Sequence, residues 1–277
     1  SVYYGWGIPM VPGFEGCSAR LTPDGVLEVR IGAHSHGQGM ETSLAQVAHS
    51  VLGIDEDQVR LVHGDTAMSP YSTGTWGSRC AVMSGGAVAE ACEAIAKRVR
   101  TIAAGLLQRP PETLVLAEGA VSDPHGDARL TLAEIAHAWY RQPQRIPKDA
   151  DPAGLEVSIG YRPSRDTGTF SYAVHAVALA VDIELGTVEL LDYVICEDGG
   201  TLLNPMIVDG QVLGGLAQGI GTALYEEMPY DAEGQPLAST LADYLLPGAS
   251  EVPMAKIDHM ETPSPFTRFG QKGLGEG

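Results

Sequence analysis

Positive charge is scarce in this sequence: 17 Lys and Arg stand against 35 Asp and Glu in 277 residues, a formal net charge of −18. That balance argues against nucleic acid or an anionic membrane surface as a partner, since phosphate binding needs clustered cations. Cysteine is sparse too. Cys17, Cys80, Cys92 and Cys196 lie far apart and form no C-x-x-C, which argues against a zinc site or an iron–sulfur cluster held by this chain and fits a reducing, cytoplasmic setting. No run of about 18 apolar residues is present, so no membrane-spanning helix is expected. The chain begins with Ser1 and ends inside a Gly-rich loop, so it reads as a piece of a longer protein. With 44% hydrophobic residues it can bury a full core, as one large domain or two smaller ones.

What is there is a mixture of short strands and amphipathic helices, an α+β pattern of mixed sheets with packed helices. Val26, Leu27, Val29 and Ile31 follow the turn Pro23-Asp24-Gly25 and predict a hairpin. Met40, Leu44, Val47 and Val51 recur at helical spacing, with Gly53 placed as a left-handed cap. Val59 to Val62 reads as a short strand. The strongest helix is expected over Gly86 to Ala103, where Val88, Cys92, Ile95, Val99 and Ile102 form one stripe. A short helix from Thr131 carries a capping box with Glu134, and residues 142 to 155 read as a linker. Two β-rich runs between Tyr172 and Cys196 flank Leu185-Gly186-Thr187, predicting a hairpin with a largely buried first strand. Asp209 to Leu224 reads as a helix whose glycines, Gly210, Gly214, Gly215, Gly219 and Gly221, cost propensity and call for close approach of a backbone or ligand.

Four polar constellations carry the candidate chemistry. In His36-Gly37-Gln38-Gly39, directly before a helix, the free N–H groups of the first turn and two glycines can cradle an anion or a polar heterocycle; a tight strand-to-helix turn is the other reading. Gly37 to Thr42 lacks the third Gly of G-x-G-x-x-G, so nicotinamide binding has little support. His34 and His36 would share one face of a strand, but two histidines without a further ligand do not make a zinc site. The loop Tyr71 to Cys80 combines hydroxyls, Gly74, Gly77, Trp76 and Arg79, a set suited to phosphate, with a polar surface loop as the rival. Gln211 and Gln218, seven apart, share a helix face with glycines downstream of Asn204-Pro205, an arrangement for hydrogen bonding a planar heterocycle or for plain helix packing. The segment Gly270 to Gly277 sets Glu276 and Lys272 among glycines, as a ligand-approaching loop or a solvated tail.

Gly37-Gln38-Gly39, Gly74 to Arg79, Asn204-Pro205 through Asp209-Gly210-Gln211 with Gln218-Gly219, and Lys272-Gly273-Leu274-Gly275-Glu276 occur in this order. So ordered, they resemble the large subunits of the molybdenum hydroxylases: xanthine dehydrogenases, aldehyde oxidases and aerobic carbon monoxide dehydrogenases. The resemblance covers essentially the whole chain and corresponds to the C-terminal half of the molybdopterin-binding region. It implies two subdomains, 1–141 and 166–277, joined by a linker over 142–165. It further implies that Gly37, Gln38 and Gly39 contact the pterin. Thr75, Trp76, Gly77, Ser78, Arg79 and Cys80, with Asn204, Gln211, Gln218, Lys272 and Gly275, would hold the pterin and its dinucleotide. Glu276 would be the catalytic base, acting on a water-derived hydroxyl.

Molybdenum, by the same resemblance, is held by the pterin dithiolene without a protein ligand, and the pterin carries cytosine dinucleotide. Iron–sulfur clusters and flavin are expected on other chains or segments, as partners beside the remaining half of the molybdenum subunit and a small-molecule substrate. An aldehyde, an N-heterocycle or carbon monoxide would be oxidised. The Arg79 loop resembles the carbon monoxide branch, whereas Ala217 to Gly221 is closer to the xanthine and aldehyde branches, so the substrate class stays open. A non-catalytic binding or assembly module is the alternative, against which the carboxylate of Glu276 counts.

Overall fold

The computed structural model describes residues 2–5, 13–165 and 168–276. The turn at Pro23-Asp24-Gly25 joins β2 (Glu15–Leu21) to β3 (Leu27–Ile31) in antiparallel register, Leu21 opposite Leu27 and Cys17 opposite Ile31; β1 (Val2–Gly5) belongs to another sheet. Burial along β2 alternates as expected of a strand with one face on the core. Helix α1 (Met40–Leu52) ends at Gly53, whose φ of 64° is the left-handed cap expected from sequence. It returns the chain to β4 (Val59–Val62), which lies parallel to β3.

A five-residue π-helical turn, Cys80–Ser84, then leads into α2 (Gly85–Leu107). The predicted stripe Val88, Cys92, Ile95, Val99 and Ile102 is fully buried and forms the spine of the first core. Gly86 is obligatory there, because a Cβ would lie 2.3 Å from the ring of Tyr161. A small meander, β5 (Val115–Ala117), β6 (Ala120–Ser122) and β7 (Arg129–Thr131), precedes α3 (Leu132–Arg141), whose capping box forms between Thr131 and Glu134.

The segment expected as a linker does structural work instead. Residues 142–155 pack back on the first core through Ile146, Ala150 and the buried Leu155, with Pro147 against Gly105 and Gly154 under the ring of Trp139. Next, β8 (Glu156–Tyr161) completes the sheet in the order β4-β3-β2-β8. Pro and charge marked this stretch as loose in the sequence, but paired glycines let it lie close to the helices.

The second sheet has the order β1-β9-β10-β11, from β1, the hairpin β9 (Thr169–Asp182) and β10 (Thr187–Asp198), and the parallel strand β11 (Lys256–His259). Because Val2–Gly5 pairs with Thr169–Tyr172 of β9, the N-terminal strand joins a sheet otherwise built from the second half of the chain. Helix α4 (Pro205–Leu224) starts four residues before the expected Asp209, with Asn204 as its N-cap. Its buried face, Val208, Val212, Leu216 and Ile220, meets Ile195 and flanking residues of β10 and β11. No residue of β9 joins that core, so the first strand of the hairpin is not buried as expected: Val174 is 70% and Val181 55% exposed. Among the described residues, no helix is long and apolar enough to cross a membrane.

Candidate functional site

Three loops and one helix face converge on a cleft of about 530 Å³. The turn before α1 contributes Gly37 and Gln38, the loop before α2 contributes Thr75 to Cys80, α4 contributes Gln211, Gly214 and Gln218, and the C-terminal segment contributes Lys272, Gly275 and Glu276. Ser78 and Glu276, 198 positions apart in the sequence, are thereby hydrogen-bonded neighbours. Gly39 stands just behind the wall as the N-cap of α1, its φ at 69° and a hypothetical Cβ 2.8 Å from Ile207. The loop's position is set by hydrogen bonds between its members. Gln38 Oε1 accepts the N–H of His36 at 2.7 Å, while the Thr75 hydroxyl donates to the carbonyl of His34 at 2.6 Å and accepts its N–H at 2.8 Å. His34 and His36 lie in this loop rather than on a strand, and no cluster of three potential metal ligands exists among the described residues.

Arg79 does not present a free fork to a phosphate. Its Nη1 donates to Glu15 Oε2 at 2.7 Å and to the Gly74 carbonyl at 2.8 Å, and its Nη2 donates to the Phe14 carbonyl at 2.8 Å. Both charged side chains are buried, and Ser72 adds a hydrogen bond to the same Glu15 oxygen at 2.9 Å. The guanidinium therefore clamps the loop from inside, and Glu15, which no sequence motif marks, is its counter-ion. In front of this clamp Ser78 adopts φ 51°, a left-handed conformation uncommon for a residue with a side chain. Its hydroxyl reaches the Leu274 carbonyl at 3.1 Å and the Glu276 carboxylate. Trp76 lines the cleft half-buried, its indole N–H donating to the Thr73 carbonyl at 3.0 Å, and burial pushes the Cys80 thiol up.

The C-terminal segment is fastened to the end of β10 and to the π-helical turn. Lys272 Nζ pairs with Asp198 at 3.1 Å, both side chains buried, and lies 5.2 Å from the ring centre of Tyr172. Burial works to raise the Asp198 pKa, but hydrogen bonds from Thr262, Gly200 and Lys272 outweigh it and hold the carboxyl below its ordinary value. Lys272 is thus committed to a protein partner, and its contribution to the cleft is its stem. Gln271, which sequence reasoning assigned no role, donates from Nε2 to the Ala81 carbonyl at 2.9 Å. A π-helical turn leaves its carbonyls imperfectly paired, and this amide occupies one of them. Asn204 caps α4 by accepting the Ile207 N–H at 3.1 Å and holds α1 through Gln46, also at 3.1 Å.

The helix glycines divide by environment. A Cβ at Gly215 would lie 2.1 Å from the Gly275 carbonyl oxygen, the close backbone approach expected from sequence. Gly210, Gly214 and Gly219 meet nothing within 4 Å. Gly214 and Gly37 both line the cleft with open space before them, and the N-cap of α1, Gly39, has no side chain to cap the first turn. The carboxamides of Gln38, Gln211 and Gln218 and the glycine-bared walls suit a large, flat ligand rich in hydrogen-bonding groups.

Fold and cleft together define a class, an α+β domain with a wide polar cleft walled by loops and one helix face. The match to the molybdopterin cofactor-binding domain extends over residues 1–253, and the chain belongs to that family. It is 36% identical to the carbon monoxide dehydrogenase large chain of Hydrogenophaga pseudoflava over 95% of this chain and 32% of the relative. With the xanthine dehydrogenase molybdenum-binding subunit of Escherichia coli O157:H7 it shares 30% identity over 95% of this chain and 35% of the relative. The crystal structure of quinoline 2-oxidoreductase from Pseudomonas putida 86 superposes with a TM-score of 0.86 at 36% identity, covering 95% of this chain and 33% of the other. The chain therefore spans about a third of the length of the relatives it matches.

Proposed function

We propose that this chain is the part of a molybdenum hydroxylase large subunit that holds a molybdenum–pterin cofactor in its cytosine dinucleotide form and supplies the catalytic base. The complete enzyme oxidises carbon monoxide, an N-heterocycle or an aldehyde with oxygen derived from water. When bound, the cofactor supplies the two-electron redox chemistry, and the residues of this chain bind, orient and move a proton. Gly37, Gln38 and Gly39 offer amides and a carboxamide to the pterin. The loop Thr75 to Cys80 flanks the cofactor with Gln211 and Gln218, while Arg79, Asn204 and Lys272 hold the walls through protein partners. Glu276 takes the proton from the attacking hydroxyl. The remaining part of the subunit closes the cleft, iron–sulfur and flavin centres lie on other chains or segments, and four free thiols suit a reducing cytoplasm.

The observation that carries this reading is the placement of Glu276, an acid at the cleft's edge whose carboxylate receives the hydroxyl of Ser78 from the opposite loop. A solvated tail would not be hydrogen-bonded to a loop 198 positions earlier in the sequence, and a non-catalytic module has no use for the carboxylate. In the complete complex, molybdenum and cytidine monophosphate released by acid hydrolysis should be stoichiometric, and one of carbon monoxide, quinoline, xanthine or benzaldehyde should be turned over. Glu276→Gln should keep the molybdenum and lose about 10²–10⁴-fold in turnover, the usual worth of a positioned general base. Unchanged turnover in a fully loaded Glu276→Gln enzyme would refute the assignment.

A further inference from the structure

The backbone just before Glu276 is held by a buried acid that the function above leaves without a role. Glu197 Oε1 accepts the Gly275 N–H at 2.9 Å. The residue sits inside β10, paired with Ala173 of β9 on one side and His259 of β11 on the other, and its carbonyl accepts the Met260 N–H at 2.9 Å. Its backbone is therefore fixed from both flanks, and it is 3% exposed.

Gly275 has no freedom on its other sides. Its φ is 82°, its carbonyl oxygen lies where a Cβ on Gly215 would be, and a Cβ of its own would come within 3.1 Å of the Gln211 carbonyl. Gly215 and Gly275 line both the cofactor cleft and a second cavity of about 400 Å³, in whose wall Glu197 stands. The two-glycine contact is thus the partition between the cavities, and Glu197 supports it from the side away from Glu276. Among the described residues the Glu197 carboxyl makes no salt bridge, and burial raises its pKa while the Gly275 N–H and His259 act in the opposite direction. An acid kept where its charge is disfavoured, with the Gly275 amide as its hydrogen-bond donor, is suited to serve as an acceptor of fixed position.

We propose that Glu197 is a positioning residue that aims Glu276 into the cleft by accepting the Gly275 N–H. This rests on the reading of Glu276 as the base. The test uses the complete complex with Glu197→Met, which keeps the bulk without the acceptor, and Glu197→Gln, which keeps the acceptor without the charge. Hydrogen–deuterium exchange of the peptide holding residues 273–276 reads the anchor directly and independently of turnover. We expect exchange about 3- to 10-fold faster in Glu197→Met, the change equivalent to one hydrogen bond, and wild-type exchange in Glu197→Gln. Turnover per molybdenum should fall by about tenfold to 10²-fold in Glu197→Met at nearly unchanged KM, as misplacement of a reacting group does, and recover in Glu197→Gln. Wild-type exchange in Glu197→Met, or equally fast exchange in Glu197→Gln, overturns the proposal. Faster exchange in Glu197→Met beside full activity of Glu276→Gln retires the base while the anchor stands.

Discussion

Breaking the Arg79–Glu15 pair would leave one charge buried without a partner, and that asymmetry sets the cost. Removing one member of a buried ion pair typically costs about 3–5 kcal/mol, whereas replacing both by apolar residues of similar size is often neutral. Arg79→Ala should therefore lower the stability of the chain by that amount in urea unfolding, and Glu15→Met with Arg79→Met should recover at least about 1 kcal/mol of it. Equal losses in the single and double variants would show that the carbonyls of Gly74 and Phe14, which also receive the guanidinium, carry the effect. The residue type alone pointed to phosphate, because a guanidinium beside glycines and hydroxyls fits that ligand. What turned it inward is Glu15, 64 positions away in the sequence, and no local pattern announces a partner at that distance. The places of Glu276 and Gln38 on the cleft wall were legible because they depend on immediate neighbours: glycines that allow close approach and a helix N-terminus that follows.

At the scale of elements, α4 separates two uses of glycine that the sequence shows as one run. Gly210 faces open space, and an Ala there gains helix propensity of about 0.5–1 kcal/mol. Gly215 abuts the Gly275 carbonyl, so the same substitution must move either the helix or the segment that carries Glu276. Gly210→Ala should raise the thermal midpoint and leave cofactor content and turnover unchanged. Gly215→Ala should lower turnover per molybdenum in the complete enzyme, and a fully active, fully loaded Gly215→Ala enzyme would show that the contact is not needed. Periodicity identified α1 and α2, a capping box identified α3, and β-rich runs around a turn identified the β9–β10 hairpin, because each buries, caps or pairs along its own length. The start of α4 fell late because Asn204-Pro205, a helix start signal, reads equally as part of the polar constellation, although Val208 of the buried face follows within one turn. Periodicity missed the structural part played by residues 142–165 because that segment gains its order from Trp139, Gly105 and β2 rather than from itself.

For the whole molecule, the same physics that leaves Val174 and Val181 exposed leaves the cleft open, with Gln218, Gly214 and Glu276 all facing solvent. The first core is closed around α2, and its fully buried Ile95, Val99 and Ile102 need no further chain to exclude water. A large cofactor is retained when about 70–90% of its surface is covered, and one wall of loops with one helix face cannot provide that. The isolated 277-residue chain should accordingly fold, show a cooperative unfolding transition and carry no molybdenum after purification. Its apolar hairpin should bind a hydrophobic fluorescent dye, since a contiguous exposed apolar surface of this kind is a contact face or an aggregation liability, and the net charge of −18 should keep the chain dispersed at low salt. Raising the salt should screen that repulsion within a Debye length of about 8 Å at physiological ionic strength and promote association, which light scattering would follow. Stoichiometric molybdenum in the purified chain would show that a single wall suffices to hold the cofactor, and the division of labour inferred for the complete subunit would then be wrong.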